Sequence, residues 1–202
     1  MLVKICGLTK AEEADYLNDN DADWAGFVLF YPKSRRCVSV ERAGLIMKRL
    51  KPGIRKVAVV VSPSAEQLSE ICDAGFDYVQ IHGSLPADIM KQTRIPIIRA
   101  FNRPDIEEYM SYWDRPEILG YLFDSPAPGS GQSSELNKIK KLPRDGKLFI
   151  IAGGINADNV KAAIDIISPD GVDVSSGVER DGEEFTGKDP VKVAKFIKAA
   201  KN

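Results

Sequence analysis

The stretch Leu2-Val3-Lys4-Ile5-Cys6-Gly7 reads as a short strand that turns at a glycine, with a helix starting at Thr9. Strand alternation sends Val3 and Ile5 to one side and Lys4 and Cys6 to the other. The same strand-then-helix unit recurs along the chain, with strands expected at 2–6, 24–30, 56–61, 78–82, 97–101, 120–123, 148–152 and 171–174. Alternating β and α elements imply a parallel sheet, so eight such units point to an α/β fold, a small (β/α)8 or TIM barrel. A doubly wound open sheet is the rival architecture. No Gly-x-Gly-x-x-Gly turn follows an early strand, and Gly129-Ser130-Gly131 after strand six lacks the third glycine and the downstream acid. The barrel is the better reading.

Helix starts support the alternation. Thr9-Lys10-Ala11-Glu12 and Ser64-Ala65-Glu66-Gln67 both have the form of a capping box. Ser39 and Asn156 are further N-cap candidates. The last helix begins near Asp189-Pro190 and puts Val191, Ala194, Phe196, Ile197 and Ala200 roughly on one face. Helices four and five, expected over 86–93 and 105–110, are short.

A chain of 202 residues can bury a full core as one domain spanning 1–202, and no stretch looks like a linker. Its 28 basic and 29 acidic residues nearly balance, with no basic tract, which argues against a nucleic-acid partner. The longest apolar runs are strand-sized, too short to span a bilayer, and no signal-peptide pattern opens the chain. The three cysteines, Cys6, Cys37 and Cys72, are odd in number and unrelated in spacing, which fits a reducing compartment. A soluble, cytoplasmic protein is expected.

Cys6 ends strand one, at the barrel rim where catalytic groups sit, on the same face as Lys4. A nearby lysine favours thiolate, although a lone buried cysteine is usually just a small apolar residue. Asp124 ends strand six before the Gly/Pro/Ser-rich run 125–131. It is placed either to act on a ligand or to order its own loop. Strands seven and eight end in Gly153-Gly154 and in Ser175-Ser176-Gly177, the loops that in barrels commonly form a phosphate site with a short extra helix. Arg35 and Arg36 follow strand two, where one of them could grip a carboxylate, though a solvated basic loop is the ordinary explanation for such a cluster and the one the residues alone favour. His82, the only histidine, ends strand four and suits a structural hydrogen bond or a substrate contact. A single histidine without nearby acidic ligands argues against a zinc site.

Together these segments resemble the phosphoribosylanthranilate isomerases of tryptophan biosynthesis. The resemblance rests on Val3-Lys4-Ile5-Cys6-Gly7-Leu8-Thr9, Gly26-Phe27-Val28 with Tyr31-Pro32-Lys33-Ser34-Arg35-Arg36, and Val79-Gln80-Ile81-His82-Gly83. It continues through Leu122-Phe123-Asp124, Ala152-Gly153-Gly154-Ile155-Asn156 with Asn159-Val160, and Asp173-Val174-Ser175-Ser176-Gly177-Val178-Glu179. It implies a barrel enzyme needing neither metal nor organic cofactor, an aldose–ketose isomerase (an intramolecular oxidoreductase). The implied reaction is an Amadori rearrangement of N-(5-phosphoribosyl)anthranilate to 1-(2-carboxyphenylamino)-1-deoxyribulose 5-phosphate, the third step from chorismate. Asp124 then matches the general acid that protonates the furanose oxygen, and Cys6 the base that takes the proton from sugar C2. Arg36 matches the group engaging the anthranilate carboxylate, while Gly153, Gly154, Ser175, Ser176 and Gly177 match the phosphate segments. His82 belongs to the substrate-binding set. The mechanism predicts a raised pKa for Asp124 and a lowered one for Cys6.

The chain departs from the family pattern after Asp124. Gln132 stands where a basic residue is common, the usual aromatic anchor is missing, and Cys37 replaces an aromatic after the arginine. Two alternatives follow: a non-catalytic phosphosugar-binding barrel, or an aminoaldose isomerase of histidine biosynthesis. The latter usually relies on two aspartates, whereas strand one here ends in cysteine. The expected partner is a small phosphosugar, with no nucleic acid and no membrane, and the chain is a monomer or homodimer.

Overall fold

Strand follows strand in sequence order around a closed ring. β1 (Leu2–Cys6), β2 (Trp24–Val28), β3 (Arg55–Val61), β4 (Tyr78–His82), β5 (Ile97–Phe101), β6 (Ile118–Asp124), β7 (Leu148–Ala152) and β8 (Gly171–Val174) are all parallel to their neighbours. β8 pairs back to β1, which closes the barrel and excludes the open sheet. The connecting helices are α1 (Glu13–Asp19), α2 (Val40–Met47), α3 (Ala65–Asp73), α4 (Ala87–Met90), α5 (Ile106–Met110), α6 (Ser133–Lys140), α7 (Val160–Ile167) and α8 (Pro190–Lys201). The computed structural model describes residues 1–102, 106–124, 133–182 and 184–202. The expected helix start at Asp105, the turn Gly129-Ser130-Gly131 and Gln132 lie outside the described residues. Among the described residues no helix is long and apolar enough to cross a membrane.

Strand alternation divides the apolar residues into two layers. Val3 and Ile5 of β1 join the larger layer, which packs the outside of the barrel against the helices. Cys6 joins Trp24, Val57, Val59, Ile98, Leu122 and Ile150 in the smaller layer that fills the lumen. The lumen is a packed core whose upper end opens to a cavity. Closure of β8 on β1 sets Lys4 opposite Asp173, so two charged side chains of the same inward phase meet inside the barrel. A register irregularity between β5 and β6 leaves Ile98 opposite Gly120, and from there Leu122 and Asp124 point inward with the right phase.

Several element ends differ from the expectations. β2 stops at Val28, two residues early, because Phe30 takes a left-handed backbone (φ 56°) that no strand continues through. The Thr9 capping box does not form. α1 starts at Glu13, whose carboxylate accepts hydrogen bonds from the Thr9 and Lys10 N–H groups and so replaces the expected hydroxyl. Asn156 does not cap α7 directly. Asn159 precedes the helix, and its Oδ1 accepts from Asn156 N–H, so the expected cap lies one turn upstream. The Ser64 capping box and the Ser39 cap form as expected, and Asp189 caps α8, each typically stabilising its helix by about 1 kcal/mol. α4 keeps only the middle of the expected span.

Candidate active site

The C-terminal ends of the strands surround a cavity of about 510 Å³. Its wall includes Cys6 from β1, Arg36 from the β2–α2 loop, His82 from β4 and Asp124 from β6. Gly153 and Gly154 after β7, and Asp173, Ser175 and Ser176 of β8 and its loop, complete the rim. Residues from six places in the sequence converge there because parallel strands all end on the same face.

Cys6 is 7 % exposed, and the Lys4 ammonium lies close enough to favour its thiolate electrostatically. Gly26, its register partner on β2, makes room for this contact: a Cβ there would sit 3.0 Å from both Cys6 Sγ and Lys4 Nζ. Lys4 Nζ also donates to Asp173 Oδ2 at 2.9 Å. The expectation of a lowered thiol pKa is not met. Burial pushes Cys6 above its ordinary value; Lys4 and Lys188 oppose this, while Asp173 adds to it. The lysine beside the thiol is already spoken for by a carboxylate, so its help is partial. Asp124 does behave as expected: the enclosing walls and the nearby Asp173 charge raise its carboxyl pKa against the pull of Lys4.

His82 is held at both ring nitrogens. Gln80 Nε2 donates to Nε2 at 2.9 Å, which leaves Nδ1 protonated to donate to Asn102 Oδ1 at 3.1 Å. Burial lowers its pKa, so the imidazole is a neutral, positioned wall rather than a free base. On the opposite side, Gly153 (φ 90°) and Gly154 (φ 58°) turn the chain with left-handed backbone that only glycine adopts freely. A single 3₁₀ turn, Ser176–Val178, follows β8 and is the short extra helix expected beside a phosphate site. Gly177 lies in that turn but does not line the cavity. A Cβ on it would land 2.2 Å from Ile155 O, so its role is to let the two loops pack closely.

Arg36 faces the cavity while its Nε donates to Glu179 Oε1 at 2.5 Å, and Arg35 donates to the other oxygen, Oε2, at 2.7 Å. Burial works against ionisation of Glu179, but Arg36 and Lys188 outweigh it and hold the carboxylate below its usual range. Lys188, 1 % exposed, donates to Glu179 Oε1, Ser175 Oγ and Ser175 O, and Ser175 Oγ donates to the Cys6 carbonyl. This network ties the arginine, the serine loop and the cysteine together. Sequence reasoning assigned no role to Asp173, Glu179 or Lys188. A carboxylate in the apolar run Gly171-Val172-Asp173-Val174 was a readable signal, since it needs a buried partner. Lys188 carries no such signal. Among the described residues no group of three or more His, Cys, Asp or Glu could hold a metal.

The family model described as "N-(5'phosphoribosyl)anthranilate (PRA) isomerase" matches residues 3–199. The N-(5'-phosphoribosyl)anthranilate isomerase of Listeria monocytogenes serotype 4a (strain HCC23) is 41 % identical over 206 residues, covering 100 % of this chain and 98 % of the relative. The crystal structure of phosphoribosyl anthranilate isomerase from Thermotoga maritima superposes with a TM-score of 0.85 at 34 % identity, covering 100 % of this chain and 98 % of the other. A second such structure, in complex with reduced 1-(o-carboxyphenylamino)-1-deoxyribulose 5-phosphate, gives 0.82 at 33 % identity with the same coverage. With the family model matching residues 3–199 and a relative 41 % identical over the full chain, this chain belongs to the N-(5'-phosphoribosyl)anthranilate isomerase family.

Proposed function

We infer that the protein isomerises N-(5-phosphoribosyl)anthranilate to 1-(2-carboxyphenylamino)-1-deoxyribulose 5-phosphate, a cytoplasmic step of tryptophan biosynthesis. The observation that carries this reading is that Cys6 and Asp124 share one cavity, flanked by an arginine and by two glycine- and serine-rich loops. A substrate with a carboxylate at one end and a phosphate at the other suits that layout. Arg36 takes the anthranilate carboxylate, its guanidinium held in place by Glu179. Gly153, Gly154, Ser175 and Ser176 take the phosphate.

Protonated Asp124 gives its proton to the furanose oxygen as the C1–O bond breaks, leaving a protonated imine. Cys6, as thiolate, takes the proton from C2, and the electron pair moves into a C1–C2 double bond and neutralises the nitrogen. The raised pKa of Asp124 suits an acid that must hold its proton. The raised pKa of Cys6 means the empty site favours thiol. The imine's positive charge then adds to that of Lys4 and Lys188 in favouring thiolate when it is needed. Turnover of phosphoribosylanthranilate generated in situ, followed by loss of its fluorescence and by appearance of the ketone, tests the reading. Conversion is expected. A folded protein that binds the product yet converts nothing would leave the phosphosugar-binding barrel instead.

A further inference from the structure

The acid and base above carry the substrate only as far as the enolamine. That intermediate still bears a hydroxyl on C2, and reaching the ketone requires an acceptor for the hydroxyl proton. Asp173 offers the atom. Its side chain lines the cavity with Cys6 and Asp124, it is 6 % exposed, and Oδ2 is engaged by Lys4. Oδ1 is buried with no protein partner. A buried carboxylate oxygen left without a donor is costly unless a ligand supplies one.

Other groups at the cavity are less suited: the Asp124 carboxylate left by ring opening faces the new hydroxyl it has just protonated, away from the C2 oxygen. Gln80 Oε1 is also buried and unpaired, but an amide oxygen accepts a hydrogen bond without holding a proton. Both ring nitrogens of His82 are engaged by Gln80 and Asn102. Lys188 is a cation surrounded by Ser175 and Glu179. The charged or titratable groups facing Asp173 are Lys4 and Cys6 of β1, His82 of β4, and Asp124 of β6, whose pKa its charge raises.

We propose that Asp173 is a third catalytic carboxylate, whose Oδ1 accepts the hydrogen bond of the sugar C2 hydroxyl and takes its proton as the enolamine becomes the ketone. This rests on the isomerase reading. The O–H electron pair becomes the second bond of C2=O, and the C1–C2 π pair takes a proton at C1 from the Cys6 thiol, which holds the one removed from C2. The proton on Asp173 then passes to Asp124, left as carboxylate by ring opening, so that thiolate and both carboxyls regain their starting states. No outside oxidant, reductant or base is required.

The test uses substrate deuterated at sugar C2 and follows two quantities: label lost from the remaining substrate, and ketone formed. In Asp173→Asn the C2 deuteron is still removed, and the stalled enolamine gives the Cys6 thiol time to exchange it with solvent before a proton is returned to C2. Ketone formation should fall by about 10²-fold or more while label loss persists, so the ratio of exchange to conversion rises. If that variant fails to fold with Lys4 unpaired, Asp173→Glu keeps a carboxylate for Lys4 while displacing the acceptor oxygen, and the same rise is expected. Asp124→Asn, blocked before C2, should lose both. Exchange and conversion falling in step in the Asp173 variants would overturn the proposal and leave Asp173 as a support for Lys4. A folded wild type that neither exchanges nor converts would overturn the isomerase reading itself.

Discussion

Replacing Lys4 with methionine probes the ion pair on which the base of the cavity rests. Lys4 Nζ lies 2.9 Å from Asp173 Oδ2, with side chains 0 % and 7 % exposed. At an effective dielectric of about 20, charges at that separation attract by roughly 6 kcal/mol. Removing two ions from water costs several kcal/mol each, so the intact pair contributes little net stability. Lys4→Met loses the attraction but leaves the carboxylate buried, and should lower stability by about 3–5 kcal/mol. Urea unfolding should show a lower midpoint with an unchanged slope. The double variant Lys4→Met/Asp173→Leu, which buries neither charge, should regain most of the loss. Burial alone would lower the Lys4 pKa, but Asp173 and Cys6 overcome it and raise the value. The stability linked to the Lys4 proton is therefore full below about pH 10.4 and is lost as pH rises through the higher folded value. A loss under about 1 kcal/mol in the single variant, or a double variant no more stable than the single, would refute this account.

Three further expectations follow from the same geometry. Burial raises both the Cys6 thiol and the Asp124 carboxyl above their ordinary values, so the kcat/KM profile should break on its alkaline side well above neutrality. An alkaline limb breaking near neutrality would contradict this. Glu179→Gln should weaken the hold on Arg36 and raise KM roughly 10- to 100-fold, more than it lowers kcat, since hydrogen bonds to charged groups contribute about 1.5–3 kcal/mol. Steady-state kinetics showing a pure kcat loss would count against it. Gly177→Ala forces a methyl toward Ile155 O, and should lower unfolding stability by about 1–3 kcal/mol and weaken inorganic phosphate as an inhibitor. Unchanged stability and inhibition would show that the loops separate freely.

What was legible in the sequence depended on how local its cause was. The shared face of Lys4 and Cys6 follows from strand alternation alone, and the structure keeps it. The Ser64 capping box lies within four residues and forms as expected. The failures that bear on the site are long-range. Thr9 loses its capping role to Glu13, whose other oxygen accepts from Lys188 N–H far along the chain. The pKa direction of Cys6 was misjudged because the lysine beside it is shared with Asp173, a contact created only when β8 closes on β1. Likewise, Arg35 and Arg36 follow one another in sequence but reach opposite oxygens of a carboxylate on another loop.

The acid–base pair is tested most directly by turnover of phosphoribosylanthranilate in wild type, Cys6→Ala and Asp124→Asn, with urea unfolding of all three. Brisk conversion by wild type and its collapse, by about 10²-fold or more, in each folded variant is the predicted result. Retention of near wild-type turnover by either folded variant would contradict the claim that Cys6 and Asp124 carry the proton transfers.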